Sequence, residues 1–531
     1  MPLGNVLLLL HAHLPFVRHP EHEEFLEEDW LYEAITETYL PLLEMGEDLE
    51  QEGVHARFSI ALSPPLCEML ADPLLQGRYL RRLHRLIDLA GREVERTRHE
   101  PLVNRTARHY LDSFRRARSV FEDEHGRNIL RGFRRLQDAG RIEILTCGAT
   151  HGFFPLMSSA EAVRAQVRVA AANYERHFGR RPAGIWLPEC GYRPGQDAIL
   201  AAEGIRYFCV ETHAVAYAAP RPRYTIYAPV RTPSGVCAFG RDIESSRQVW
   251  SASEGYPGDA AYREFYRDLG YDGEEAYVKP YLHADGVRRN LGIKYFRITG
   301  KVPLNEKQPY DPEAAAGRAR LHAGNFLFNR SQQARHLAGM LGRAPTVLSP
   351  YDAELFGHWW YEGPQFLAEL LRQAGAQTDV LFSTPGEVLS SGARVQRATP
   401  TLSTWGDKGY CEVWLNPSND WIYRHQHVVE GRMVSLARDF RDANGLAKRA
   451  LNQAARETLL AQSSDWAFIM NAATAVPYAH KRFKIHVESF HRLHSQLRAG
   501  SIDETLVSQL ESRHNAFPEI DWRAFAPEEK R

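Results

Sequence analysis

Cysteine is scarce and scattered, with six among 531 residues and no C-x-x-C pair. That argues against a zinc cluster or a disulfide scaffold and leaves reduced thiols of a cytoplasmic protein as the expectation. An excess of one charge is missing too. The 65 Lys and Arg meet 66 Asp and Glu, so neither nucleic acid nor an anionic membrane surface is favoured as a partner. No apolar run approaches the ~20 residues of a membrane span. The run 6–10 is too short for a signal peptide and has no basic residues before it. The G-x-S-x-G elbow, the P-loop and the G-x-G-x-x-G fingerprint are all lacking, which removes support for serine-hydrolase, nucleotide-hydrolysing and dinucleotide chemistry. Internal repeats and low-complexity tracts are lacking as well. The expectation is a soluble, cytoplasmic, monomeric protein acting on a neutral partner.

What is present is alternation. Short apolar runs at 6–10, 57–62, 142–146, 184–189, 207–210, 346–351 and 380–383 read as strands, with helical patterns between several of them. One helix is expected over 160–178, stopping at Gly179, and another over 195–203, stopping at Gly204. Such alternation implies an α/β fold with a parallel sheet and helices outside. The polar residues that look chemical follow these runs or end them: His11 and His13, His151, Glu189 and Asp352. Four strand ends carrying such groups favour a β/α barrel, whose site gathers at the C-terminal strand ends. Residues from about 220 to 301, rich in Tyr, Pro and Gly, break the rhythm and suggest a loop or small subdomain over the site. After 394 a Trp- and Gly-bearing segment leads into Ala-, Leu- and Arg-rich helical patterns.

Two segments carry carboxylates in telling company. In GIWLPECGY, Glu189 follows an apolar run and Pro188, which would place it rigidly at a strand end. A glycosidase needs a nucleophilic carboxylate and a proton-donating carboxylic acid on either side of the scissile bond; a rim ion pair would explain Glu189 equally well. In SPYDAELFGHWW, Asp352 and Glu354 stand near His358, Trp359 and Trp360. Aromatic faces stack on sugar rings, and an acid among them is suited to hold its proton. Asp352 is the better candidate because it lies nearer the strand end; the tryptophans could equally be core. His11 and His13, two apart on a strand, face the same way and could share a metal. With no acid adjacent in sequence, hydrogen bonding to sugar hydroxyls or to Glu189 competes with that reading. His151 is open to the same alternatives.

Put together, HAHLP (11–15), GATHG (148–152), WLPECGY (186–192), YDAELFGH (351–358) and STWG (403–406) resemble the five ordered motifs of glycoside hydrolase family 57. The likeness runs through nearly the whole chain, and WLPEC looks like the branching-enzyme subgroup. The resemblance implies an incomplete seven-stranded β/α barrel over 1–393, with a loop-rich insertion at about 190–301. It also implies a helical C-terminal domain over 394–531 that helps form the cleft. It implies Glu189 as nucleophile, Asp352 as general acid/base, and His11, His13 and His151 around a glucose subsite. Trp405 and Trp414 would be aromatic platforms, with Trp30, Trp359, Ser464, Asp465 and Trp466 further candidates for the cleft. A mobile loop would carry Tyr256. The substrate would be an α-1,4-glucan such as amylose or a glycogen-like polymer, with no cofactor and no catalytic metal. The expected reaction is retaining transfer that cleaves an α-1,4 bond and forms an α-1,6 branch. Disproportionation (a 4-α-glucanotransferase) or hydrolysis (an α-amylase) remains an alternative. A metal-dependent carbohydrate hydrolase or deacetylase is a third reading, and a non-catalytic glucan-binding protein a fourth.

Overall fold

The computed structural model describes residues 2–251, 254–377, 379–392 and 395–528. The first apolar run becomes β1 (Gly4–Ala12), buried at every position except Asn5. A continuous apolar run, rather than alternation, is what a parallel strand covered on both faces requires. It pairs in parallel with β2 (Phe58–Leu62), β8 (Thr346–Asp352) and β9 (Val380–Phe382), and β2 carries β3 (Ile142–Leu145) beyond it. A second five-stranded sheet runs in the order β10 (Gln396–Arg397), β6 (Val230–Arg231), β7 (Cys237–Gly240), β5 (Tyr207–Val210) and β4 (Gly184–Ile185). Its only antiparallel pair among the described residues is β6 with β7. Single parallel bridges, Thr146 to Ile185 and Arg241 to Leu348, join the two sheets. Among the described residues no continuous ladder closes them into a barrel; the architecture shown is an α/β fold with a helical C-terminal region.

Local chemistry sets several boundaries. The helix Ala160–Phe178 starts where the Ser159 side chain accepts from the Ala162 N–H, and it stops at Gly179 with φ 73°. The strand expected over 184–189 is only two residues long, because a tight turn at Pro188–Cys190 replaces its end. The stretch 190–301 is not loop throughout, since β5, β6 and β7 fall inside it. Its later part is pinned from within. The buried Asp268 accepts backbone N–H groups of Gly270, Leu291 and Gly292 and pairs with Lys294. The expected division between 393 and 394 lies outside the described residues, and β10 just after it still pairs with β6.

The helices beyond residue 420 form their own packed group, in which the fully buried Glu457 accepts from His486 and His514, each at 2.7 Å. One corner of that group reaches the first sheet. The Ser464 N–H donates to the His151 carbonyl at 3.0 Å, and Gly152 bridges Ser463. Residues more than 300 positions apart are thereby fixed at the C-terminal ends of β1 and β3.

Candidate active site

The β1–β8 register sets His11 beside Asp352. The His11 Nε2 lies 3.0 Å from the His151 Nε2, and the ring stacks on Trp186. The His13 ring lies face to face on His151, with centroids 3.8 Å apart and planes 10° from parallel. Its Nδ1 meets the Ser63 Oγ at 2.9 Å and its Nε2 the Asp465 carboxylate at 3.1 Å. Burial alone would lower the His13 pKa, but Asp465 above all, then Glu189 and Glu354, raise it. Asp465 is lowered: burial opposes its charge, and His13 together with His151 and Ser463 outweighs burial. Both shifts favour the charged pair. By contrast, burial and the neighbouring imidazoles hold His11 well below its usual value, and burial and His13 do the same for His151.

Glu189 sits in the turn after β4 with φ 62°, followed by Cys190 at 49°, while His151 has φ 56°. Three non-glycine residues in the left-handed region at one place mark strain held by the surroundings. Gly191 allows the turn, because a Cβ there would lie 2.8 Å from the Phe153 ring and 2.9 Å from the Pro188 carbonyl. The Trp405 indole N–H donates to Glu189 Oε2 at 2.8 Å, and the Ser464 hydroxyl donates to Oε1 at 3.0 Å. The Trp405 backbone N–H also holds the Glu189 carbonyl at 2.9 Å. Burial raises the Glu189 pKa and these two side-chain hydrogen bonds pull it back, leaving a net rise.

Asp352 faces different terms. Burial pushes its carboxyl well above the usual range, and the like charges of Glu354 and Glu189 push the same way. Among the described residues no hydrogen bond favours its ionised form. Glu354 is tied down by the Tyr39 hydroxyl at 2.5 Å and the His13 N–H at 3.1 Å. The geometry therefore offers one carboxyl with two donors to its ionised form and one whose surroundings, all but Arg241, favour its proton.

The glycosyl hydrolase family 57 model matches residues 7–279, and a model described as "1,4-alpha-glucan branching enzyme, C-terminal" matches 425–525. The chain is 34% identical, over 97% of its length and 77% of the relative's, to a 1,4-alpha-glucan branching enzyme of Thermococcus kodakarensis. The chain belongs to glycoside hydrolase family 57. The crystal structure of the family 57 branching enzyme from that archaeon, in complex with glucose and additives, superposes with a TM-score of 0.90 at 32% identity, covering 99% of this chain and 97% of that one. The structure of the alpha-amylase AmyC from Thermotoga maritima superposes with a TM-score of 0.93 at 46% identity, covering 99% and 100%.

Of the family 57 residues expected at the site, His11, His13, His151, Glu189, Asp352, Trp405, Ser464 and Asp465 are brought together. Others are not. Trp414 is 1% exposed and stacks on Phe153 behind the Trp405 loop, so it is a buttress rather than an open platform. Trp466 is equally buried, its indole N–H given to the Leu460 carbonyl. Tyr256 is docked on the helix Pro312–Leu341: its hydroxyl donates to Asn325 and its ring lies against His322. It is no free loop tip in this structure, although two residues of the run 250–259 lie outside the described residues. Trp359 is 54% exposed on one face and stacked on Phe265 by the other. Trp30 is half-buried, edge-on to Tyr478.

Tyr39, Ser63, Trp186, Arg241 and Trp250 also belong to this neighbourhood and were not legible as site residues. Arg241 lies over the Trp405 ring, and its positive charge opposes the rise of the Asp352 pKa. Trp250 is 37% exposed and edge-on to Trp405 at 6.4 Å. Trp186 opens the WLPECGY motif but reads in sequence only as part of the run before Glu189; no local sequence signal marks Tyr39, Ser63, Arg241 or Trp250, which packing recruits.

No acid is adjacent to His11 and His13 in sequence, yet the fold brings Asp465 to His13, and ligand atoms of His13, His151 and Asp465 lie within 4.8 Å of one another. The stacked rings nevertheless send their in-plane lone pairs side by side, and all four nitrogens of His13 and His151 are committed to hydrogen bonds. The set is arranged for hydrogen bonding rather than for sharing one ion. Among the described residues no helix is long and apolar enough to cross a membrane.

Proposed function

We propose that this chain is a retaining 1,4-α-glucan branching enzyme, with Glu189 as nucleophile and Asp352 as general acid/base. The observation that carries the chemistry is the asymmetry of the two carboxyls. Glu189 accepts two hydrogen bonds that favour its anion, whereas burial and two neighbouring acids favour a proton on Asp352. In the first half-reaction Glu189 attacks the anomeric carbon while Asp352 gives its proton to the departing glycosidic oxygen, leaving a glycosyl ester on Glu189. In the second half, the Asp352 carboxylate takes the proton of a glucan 6-hydroxyl. That oxygen attacks the anomeric carbon and Glu189 leaves as carboxylate. The match of residues 425–525 to the branching-enzyme C-terminal model supports branching as the outcome.

The two bridges between the sheets support reading β1, β2, β3, β4, β5, β7 and β8 as an incomplete seven-stranded barrel. Residues 1–393 then form the catalytic unit and 394–531 a helical unit that completes the cleft. Within the insertion of about 190–301, the part after β7 is the subdomain proper. Trp30 and Trp359 are read as outlying glucan contacts, and the protein as monomeric and cytoplasmic. Hydrolysis is the second reading, favoured by the 46% identity to the Thermotoga alpha-amylase. The deciding experiment is incubation with amylose followed by debranching. Wild-type enzyme should create α-1,6 linkages and Glu189→Gln should create none; a wild-type product without branches removes the branching assignment.

A further inference from the structure

We infer that Ser464 is a positioning residue for Glu189, the last donor of a one-way hydrogen-bond chain that runs from His11 through His151 to the carboxylate. The inference rests on Glu189 being the nucleophile and goes beyond that reading by giving Ser464, expected at first to touch substrate, a different task. Ser464 is buried, and its hydroxyl lies 3.0 Å from Glu189 Oε1 and 2.8 Å from His151 Nδ1. An ionised carboxylate has no proton to give, so the hydroxyl hydrogen must point at Glu189. The Ser464 oxygen is then an acceptor, and His151 must carry its hydrogen on Nδ1. That leaves His151 Nε2 as an acceptor, and the atom 3.0 Å away, His11 Nε2, must be the donor.

The far end of the chain agrees with this direction. His11 would be left with a bare Nδ1, and that nitrogen is buried with no hydrogen-bond partner among the described residues. A second proton on either imidazole would set N–H against N–H or strand a charge, and burial disfavours both. The chain thus brings a donor to Glu189 without bringing a counter-charge. The carboxylate is oriented but not neutralised, as a nucleophile requires. The charges nearby lie in the His13–Asp465 pair, with His13 stacked over His151; Asp465 raises the Glu189 pKa and His13 lowers it. The other groups facing Glu189 are Asp352 across the site, the indole of Trp405 with Arg241 over it, and the buried thiols of Cys147 and Cys190. Ser464 reaches this place through its own backbone N–H on the His151 carbonyl and through the Gly152–Ser463 bridge.

The test compares Ser464→Ala, Ser464→Cys and Ser464→Thr on amylose, with Glu189→Gln alongside. Losing a donor to a charged group should lower kcat about ten- to a hundredfold, with KM within about twofold, since no substrate contact is removed. Because the lost bond favoured the anion, the acid limb of the kcat profile should move to higher pH. Threonine keeps the hydroxyl and should restore most of kcat. Cysteine keeps the size but donates weakly, and should follow alanine. Wild-type kcat and profile in Ser464→Ala overturn the proposal. So does a loss carried by KM with an unmoved acid limb, or a cysteine variant as active as threonine. Should Ser464→Ala fail to fold, the cysteine–threonine comparison decides alone. If Glu189→Gln turns over nearly normally, the nucleophile assignment itself fails; if it is inert while Ser464→Ala matches wild type, only the positioning role fails.

Discussion

At Glu189 and Asp352 burial acts on two like groups, and their partners make them unlike. Both pKa values are raised, Asp352 the more strongly. With Glu189 as the proposed nucleophile and Asp352 as the proposed acid, activity needs Glu189 ionised and Asp352 protonated, so it should rise with pH through the raised Glu189 value and fall through the higher Asp352 value. The pH dependence of kcat/KM should therefore be a bell whose acid limb lies above the ordinary carboxylate range. Asp352→Asn should cost about 10²–10⁴ in kcat and remove the alkaline limb; a variant that keeps that limb would show that another group donates the proton. The His13–Asp465 pair makes a separate stability prediction. His13 is raised in the folded state, so its contribution is full below the unfolded value of 6.5 and lost as pH rises through the folded one. Asp465 is lowered, so its contribution is full above 3.8 and lost as pH falls through the folded value. Asp465→Asn should thus be most destabilising between those limits, by about 1.5–3 kcal/mol, as read from denaturant melts across pH. With all four nitrogens of His13 and His151 already committed, exhaustive chelation should leave turnover on amylose unchanged. Loss on chelation that one divalent ion restores would favour the metal reading instead.

Sequence periodicity sees elements when they are long and apolar, and loses them when they are short or interrupted. The runs at 6–10, 207–210 and 346–351 were legible because a strand buried on both faces must be apolar throughout. The two-residue β6 and β10 and the four-residue β7 carry too little pattern to be read, and in the run 184–189 only the two residues of β4 are strand, because Pro188 disguised a turn as its end. The same limit applies to the site. His11, His13, His151, Glu189 and Asp352 announce themselves by residue type near strand ends. Tyr39, Arg241 and Trp250 are ordinary residues that packing delivers there. Tyr256 shows the converse, since its Gly- and Pro-rich surroundings suggested a lid while its ring is anchored between helices. Tyr256→Ala should therefore lower Tm by removing packing against His322 and Phe366, and leave the ratio of branching to hydrolysis unchanged. A shifted ratio at unchanged Tm would restore the lid role.

Over the whole molecule, the site is complete only because the helical region reaches across to the sheets. Trp405 and Ser464 hold the two oxygens of Glu189, and Asp465 holds His13, all from beyond residue 400. On the proposed roles, the region that holds Glu189 also shapes the space where water or a second glucan would meet the glycosyl ester. Transfer wins there if an acceptor chain is held in place, because positioning supplies a large effective concentration while water is kept out. The surfaces available for this are the Trp405 indole and the exposed edge of Trp250 beside it. Trp414 supports them from behind, so closely that a Cβ on Gly406 would lie 2.7 Å from its ring. On amylose, new α-1,6 linkages should outnumber newly released reducing ends. Trp250→Ala should shift that balance severalfold towards hydrolysis with little change in total bond cleavage, because cleavage uses the Glu189–Asp352 pair and transfer alone uses the acceptor surface. Reducing-end release without isoamylase-sensitive branches would make this enzyme an amylase, in line with its likeness to the Thermotoga protein. Redistribution of linear chains alone would make it a 4-α-glucanotransferase. An unchanged balance in Trp250→Ala would move the acceptor surface elsewhere, to the Trp359 face left open opposite its stack on Phe265.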